Sequence, residues 1–212
     1  MTNTRPHVAR LARRGLLATD IEAYGRRTGP DQYAAQRVYE LALQRAAVRA
    51  GLPLERCRRQ PAGDGEMLVL PGGVHEPRII ATLLPSLAAQ LDAYNAQRCR
   101  RRRIRLRVAV HHGLIQLDGP TGFPGRPLVV LARLLDCAPL RAVLREHSQV
   151  SLAAIISADV YEEVVTNRYG GLRPGLFRPA AVDLRGVERA GRAWVYAPGH
   201  DLAQVPRRPL AG

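Results

Sequence analysis

The sequence predicts an α+β fold with a ferredoxin-like βαββαβ core, extended by further strands and helices towards its C-terminus. Three observations carry this prediction. Two long stretches, 31–50 and 76–97, repeat their apolar residues at helical spacing. Short apolar or alternating runs surround them in the order strand, helix, strand, strand, helix, strand. Between the second and third runs lies Pro61-Ala62-Gly63-Asp64-Gly65, a sequence rich in turn formers.

Taken in order, residues 14–21 read as a buried strand ending at Asp20-Ile21, followed by a loop with Gly25, Gly29 and Pro30. Ala34, Val38, Leu41, Ala42 and Val48 mark the first helix, with Asp31 as its expected cap. Residues 55–60 and 66–70 are expected to pair as a hairpin with Asp64 at its tip. The second helix uses Ile79, Ile80, Leu83, Leu84, Leu87 and Leu91, and Pro85 predicts a kink inside it. Arg100–Arg103 leads into Ile104, Leu106, Val108 and Val110, whose strict alternation marks a half-buried strand, so the arginine run reads as its solvated approach. His111-His112-Gly113 is expected to end that strand and 114–117 to begin a return strand. Helices through 128–135 and 140–144, a strand at 150–156, a short helix at 159–167 and a closing hairpin of 182–184 with 193–196 complete the reading. The expected organisation is a flexible basic leader at 1–13, one domain at 14–198 and a disordered tail or linker at 199–212.

Composition narrows the function classes. The 212 residues, 46% hydrophobic and 24% charged, are enough for a sizeable core and exclude disorder along the whole chain. All 32 basic residues are arginine and the formal charge is +14. Such a surface favours anionic partners, yet arginine excess also follows from a GC-rich genome, so charge alone names no partner. Nucleic acid is not expected, because the arginine run lacks interleaved aromatics. Cys57, Cys99 and Cys137 are widely spaced without a CxxC pair, which suits a reducing cytoplasm. No apolar run reaches membrane-spanning length, so no membrane is expected. A Walker loop, a zinc signature and Ser-His-Asp spacing are all absent. The adjacent His111 and His112 read as structural, since neighbouring strand residues face opposite ways.

Two carboxylates carry the chemistry. In a βαββαβ core the first and third strands are antiparallel neighbours, so Asp20 at the end of one and Asp64 at the start of the other meet at one sheet edge. Carboxylates held together repel unless a cation or proton intervenes. Mg²⁺ or Mn²⁺ would relieve the repulsion and keep positions open for phosphate oxygens.

Ala18-Thr19-Asp20-Ile21-Glu22-Ala23-Tyr24 resembles the opening metal motif of class III adenylyl and guanylyl cyclases, and Gly63-Asp64-Gly65-Glu66-Met67 their Gly-Asp motif. Arg107 to Gly113 is similar to the family's strand ending in His-x-Gly. Gly125 through Leu134 resembles its dimerisation-arm helix, and Leu184-Arg185-Gly186 its late Leu-Lys-Gly motif. The resemblance spans residues 14–198 and is strongest to small actinobacterial cyclase-like domains. It implies a class III cyclase-like fold and a nucleoside triphosphate converted to a 3′,5′-cyclic nucleotide and pyrophosphate in a head-to-tail homodimer. It further implies two Mg²⁺ or Mn²⁺ ions per site on Asp20, Asp64 and the Ile21 carbonyl, Arg133 at the α-phosphate and Arg185 on the terminal phosphates. Against the family pattern, Val129 replaces the transition-state asparagine, and Gln60 and Gly122 occupy the positions that face the base. A catalytically degenerate nucleotide-binding module of the same fold is the alternative.

Overall fold

The computed structural model describes residues 11–119, 122–184 and 191–203. Strand β1 (Leu11–Ile21) is the centre of the architecture, because Leu16, Leu17 and Ala18 are buried in succession and both faces of the strand are therefore covered. It pairs antiparallel with β3 (Gly65–Val69) on one side and β4 (Leu106–Gln116) on the other. With β2 (Arg58–Ala62), β5 (Leu152–Ser157), β6 (Arg178–Val182) and β7 (Gly191–Tyr196) they form a sheet ordered β2-β3-β1-β4-β5-β7-β6. The first four strands in this order are the predicted βαββαβ core. The parallel β4–β5 pair and the β6–β7 hairpin are the additions.

Helix α1 (Gly29–Ala50) starts where Thr28 accepts a hydrogen bond from the Asp31 backbone N–H and stops at Gly51, whose φ of 58° is left-handed. Thr28, not Asp31, is the cap; the Asp31 carboxylate instead accepts from the Thr28 hydroxyl at 2.8 Å. Helix α2 (Glu76–Arg78) runs through a π turn, Ile79–Leu83, into α3 (Leu84–Asn95). Pro85 cannot donate to the preceding turn, and the π turn beside it absorbs the predicted kink. Helices α1 and α3 cover one sheet face with Leu43, Leu84, Leu87 and Leu91. Helices α4 (Arg126–Leu135) and α5 (Ala138–Glu146) cover part of the other with Leu131, Leu134, Leu140 and Leu144.

Two expectations need correction. The sequence placed a strand end at His111-His112-Gly113, yet β4 continues to Gln116 because β1 pairs with it along its whole length, down to Leu11 with Gln116. For the same reason Leu11, Ala12 and Arg13 belong to β1 rather than to a leader. The two histidines face opposite sides of the sheet, as read. His111 Nδ1 lies 2.9 Å from Ser157 Oγ on one face, and His112 contacts Glu76 at 3.2 Å and Arg13 at 2.8 Å on the other. Among the described residues, no helix is long and apolar enough to cross a membrane.

Candidate active site

The β2–β3 hairpin crosses the end of β1 at a distance only glycine permits. A Cβ on Gly65 would lie 1.8 Å from the Thr19 carbonyl oxygen. Gly63 turns the tip with φ 64°, and the Ile21 backbone N–H donates to the Asp64 carbonyl at 3.0 Å. This clamp sets the Asp64 side chain near Asp20, where its carboxyl makes ionising Asp20 harder. Opposite Asp20 in the β4 register stands Arg107, whose guanidinium pairs with Asp20 Oδ2.

The electrostatics of this cluster are unbalanced. Burial pushes the Asp20 carboxyl up from 3.8 to about 6; Arg107 opposes this, repulsion and hydrogen bonding from Asp64 add to it, and Arg141 weakly opposes. Asp20 Oδ1 and Arg107 Nε are both buried without a hydrogen-bond partner. Orphaned buried polar atoms are costly in a native interior, and a bound ion or water is one of the arrangements that satisfies them. A carboxylate pair with an unpartnered oxygen fits a hard divalent cation. Among the described residues no three His, Cys, Asp or Glu side chains cluster to hold a metal, so further positions would fall to backbone, water or phosphate oxygens.

The other predicted residues meet elsewhere. Gln60, Gly122, Val129 and Arg133 line one cavity of about 650 Å³, with Met67, Phe123 and Leu128 as its apolar wall. Its size is that of a small-ligand pocket. Val129 and Arg133 come from successive turns of α4, so both face the cavity. Gln60 fills the room that Gly122 leaves: a Cβ on Gly122 would lie 2.9 Å from Gln60 Oε1, and its φ is 145°. Asp20 and Asp64 do not line this cavity. Both groups nevertheless share a sheet face, since Asp20 alternates with the α4-side residues Leu16 and Ala18, and Gln60 pairs with Met67, which packs on the same side. Arg185 lies outside the described residues.

Sequence reading missed the role of Arg107. Its signal was present, because Arg107 sits among the alternating apolar residues of a strand that runs beside the one carrying Asp20. What was lacking was the register that sets these two residues opposite each other.

No family model matches the sequence, and no curated protein does. Solved structures do match the fold. An adenylate/guanylate cyclase/hydrolase from Silicibacter pomeroyi superposes with a TM-score of 0.66 at 19% identity, over 90% of this chain and 99% of that one. The guanylyl cyclase Cya2 gives 0.60 at 12% identity, over 94% and 99%. The guanylate cyclase domain of RhGC from Catenaria anguillulae, solved with GTP, gives 0.54 at 15% identity, over 88% and 97%. These structures lend no support to a specifically actinobacterial resemblance. The chain has the fold of a class III nucleotidyl cyclase catalytic domain.

Proposed function

We propose that the chain is a metal-dependent nucleotidyl cyclase domain, which converts a nucleoside triphosphate into a 3′,5′-cyclic nucleotide and pyrophosphate at a site shared by two copies arranged head to tail. One observation carries this reading: the Asp20–Asp64 pair and the Gln60–Arg133 cavity share a sheet face without joining within one chain. A second copy would bring the carboxylates of one chain to the cavity of the other.

In this arrangement Asp20 and Asp64, with the Ile21 carbonyl, would hold two Mg²⁺ or Mn²⁺ ions, which acidify the ribose 3′-hydroxyl and neutralise the triphosphate. Arg107, on the strand beside Asp20, is in reach of phosphate oxygens that approach the pair. Arg185 would grip the terminal phosphates. Arg133 would meet charge building on the α-phosphate. The 3′-oxygen forms its bond to the α-phosphorus, the bond from that phosphorus to the bridging oxygen breaks, and the electron pair leaves with pyrophosphate. The hydroxyl proton passes to solvent. Val129 offers no hydrogen bond to the ribose, and one missing donor of this kind costs about 3 kcal/mol of barrier.

The test is to supply Mn²⁺ with each of the four nucleoside triphosphates and look for cyclic product by mass spectrometry. Product from one of them identifies the base; none from any, with a stable dimer present, removes the enzyme reading. Mixing Asp64→Asn with Arg133→Ala, each inactive alone, should restore turnover, because the mixed dimer contains one intact site. A second reading, a module that binds nucleotide without turnover, is favoured by Val129 and by Gln60 closing over Gly122. Calorimetry showing Mg²⁺-dependent binding without product would select it.

A further inference from the structure

The arginine run that the sequence reading left as solvent-facing approach does not simply face solvent. Arg100, Arg101 and Arg103 curl around a short 3₁₀ turn and line a cleft of about 820 Å³, together with Arg26, Arg27 and Arg145. Arg105 completes it, so seven arginines face only two acids, Glu22 and Asp31. Both acids are committed, Glu22 to Arg105 at 3.2 Å and Asp31 to the Thr28 hydroxyl. Arg105 itself is a structural strut, donating to the carbonyls of Val150, Leu144 and His147. Burial, with Arg100 and Arg103 adding to it against Glu22, holds Arg105 below the usual arginine range. Arg26, Arg100 and Arg101 have no carboxylate partner among the described residues. Arg27 donates through Nη2 to the Arg103 carbonyl at 2.8 Å, while its Nε is buried with no partner.

Like charges converge on a cavity at a steady electrostatic cost unless an anion enters. We propose that this cleft binds a small ligand carrying several contiguous phosphates, without a divalent metal. Besides the strut Arg105, six guanidiniums line the cleft, Arg145 among them also paired with Glu146 at 3.2 Å, and their donors exceed what one phosphate can accept and match a chain of them. The concave shape and the lack of a lining aromatic to stack a base argue against a nucleic-acid strand. The cleft lies one rung beyond the Asp20–Arg107 pair, at Glu22 and Arg105, and contains neither Asp20 nor Asp64. The inference therefore does not rest on the cyclase reading.

Sodium tripolyphosphate titrated calorimetrically into the full chain in EDTA should bind at one site, with affinity falling as salt rises. ATP and GTP in EDTA form the second arm: tighter binding than tripolyphosphate assigns the cleft to a nucleotide tail, equal binding to the phosphates alone. The variant Arg26→Ser/Arg101→Ser/Arg145→Ser, all three exposed, should bind tripolyphosphate at least about tenfold more weakly at unchanged melting temperature. Asp64→Asn should leave this binding intact. No binding of tripolyphosphate, equal binding by the triple variant, or its loss in Asp64→Asn would overturn the proposal. So would tighter binding of a short single-stranded RNA that the triple variant loses.

Discussion

Thr19 and Asp20 are neighbours in β1 and point to opposite faces of the sheet, and the two faces treat polarity in opposite ways. On the α1 face, Thr19 Oγ1 lies 2.8 Å from the Tyr39 hydroxyl, Tyr39 donates to Glu66 Oε1 at 2.7 Å, and Arg59 grips Glu66 and Glu40 together. Every member of that chain has a partner. On the α4 face, Asp20 and Arg107 each retain a buried atom without one, although they pair with each other. A satisfied buried network specifies a fold; an unsatisfied one is held in place by surrounding structure and is available to a ligand.

The sharpest way to break the comparison is to neutralise one residue on each face. Asp64→Asn removes a charge beside Asp20 that raises the cost of ionising it. Folding stability should stay level or rise, while Mn²⁺-dependent turnover falls by about a thousandfold, since metal-held charge stabilisation is worth several kcal/mol. Glu66→Ala should do the reverse. It removes the acceptor of the buried Tyr39 hydroxyl and one of the two carboxylates on Arg59, which keeps Glu40, so urea denaturation should report a loss of about 2 kcal/mol. Turnover per folded molecule should change little. A large stability loss from Asp64→Asn, or none from Glu66→Ala, would show that the faces do not divide the roles in this way.

The cavity side can be sharpened rather than broken. Val129→Asn restores a hydrogen-bond donor at the exposed cavity edge of α4 and should raise kcat by up to about 100-fold with KM little changed. An unchanged kcat would remove Val129 as the weak point and leave Gln60 and Gly122 to explain any low activity.

How much of this could be read from the sequence depends on range. The βαββαβ core and the meeting of Asp20 with Asp64 were legible, because alternation, helical spacing and a glycine-rich turn are local signals, and the topology then brings strand ends together. The continuation of β4 through His111-His112-Gly113 was not, since nothing in those residues reveals that β1 begins early enough to pair with them. Arg107 was hidden for a related reason: an arginine among alternating apolar residues reads as a solvent-facing strand position until register supplies its carboxylate. The arginine cleft was the least legible. It is assembled from the loop after β1, the turn before β4 and the end of α5, and only tertiary packing makes a run of charge concave.

The smallest expected effect concerns the end of the sheet away from the carboxylates. Burial, with His112 adding and Asp159 opposing, lowers His111 from 6.5 to about 4. The folded-state value is depressed, so as pH falls below 6.5 the unfolded chain takes up the proton first and the folded chain is progressively disfavoured. The cost should be about 2 kcal/mol between pH 7 and pH 5. Asp20 acts in the opposite direction, because its raised value lets the folded chain take up a proton first over the range from about 6 to 3.8. Bulk stability curves mix the two, and only a difference separates them. Denaturation of wild type and His111→Asn across that pH range should give curves that diverge, with the variant losing less stability on acidification. Parallel curves would mean that His111 takes up its proton alike in the folded and unfolded chain, and that burial does not hold it neutral.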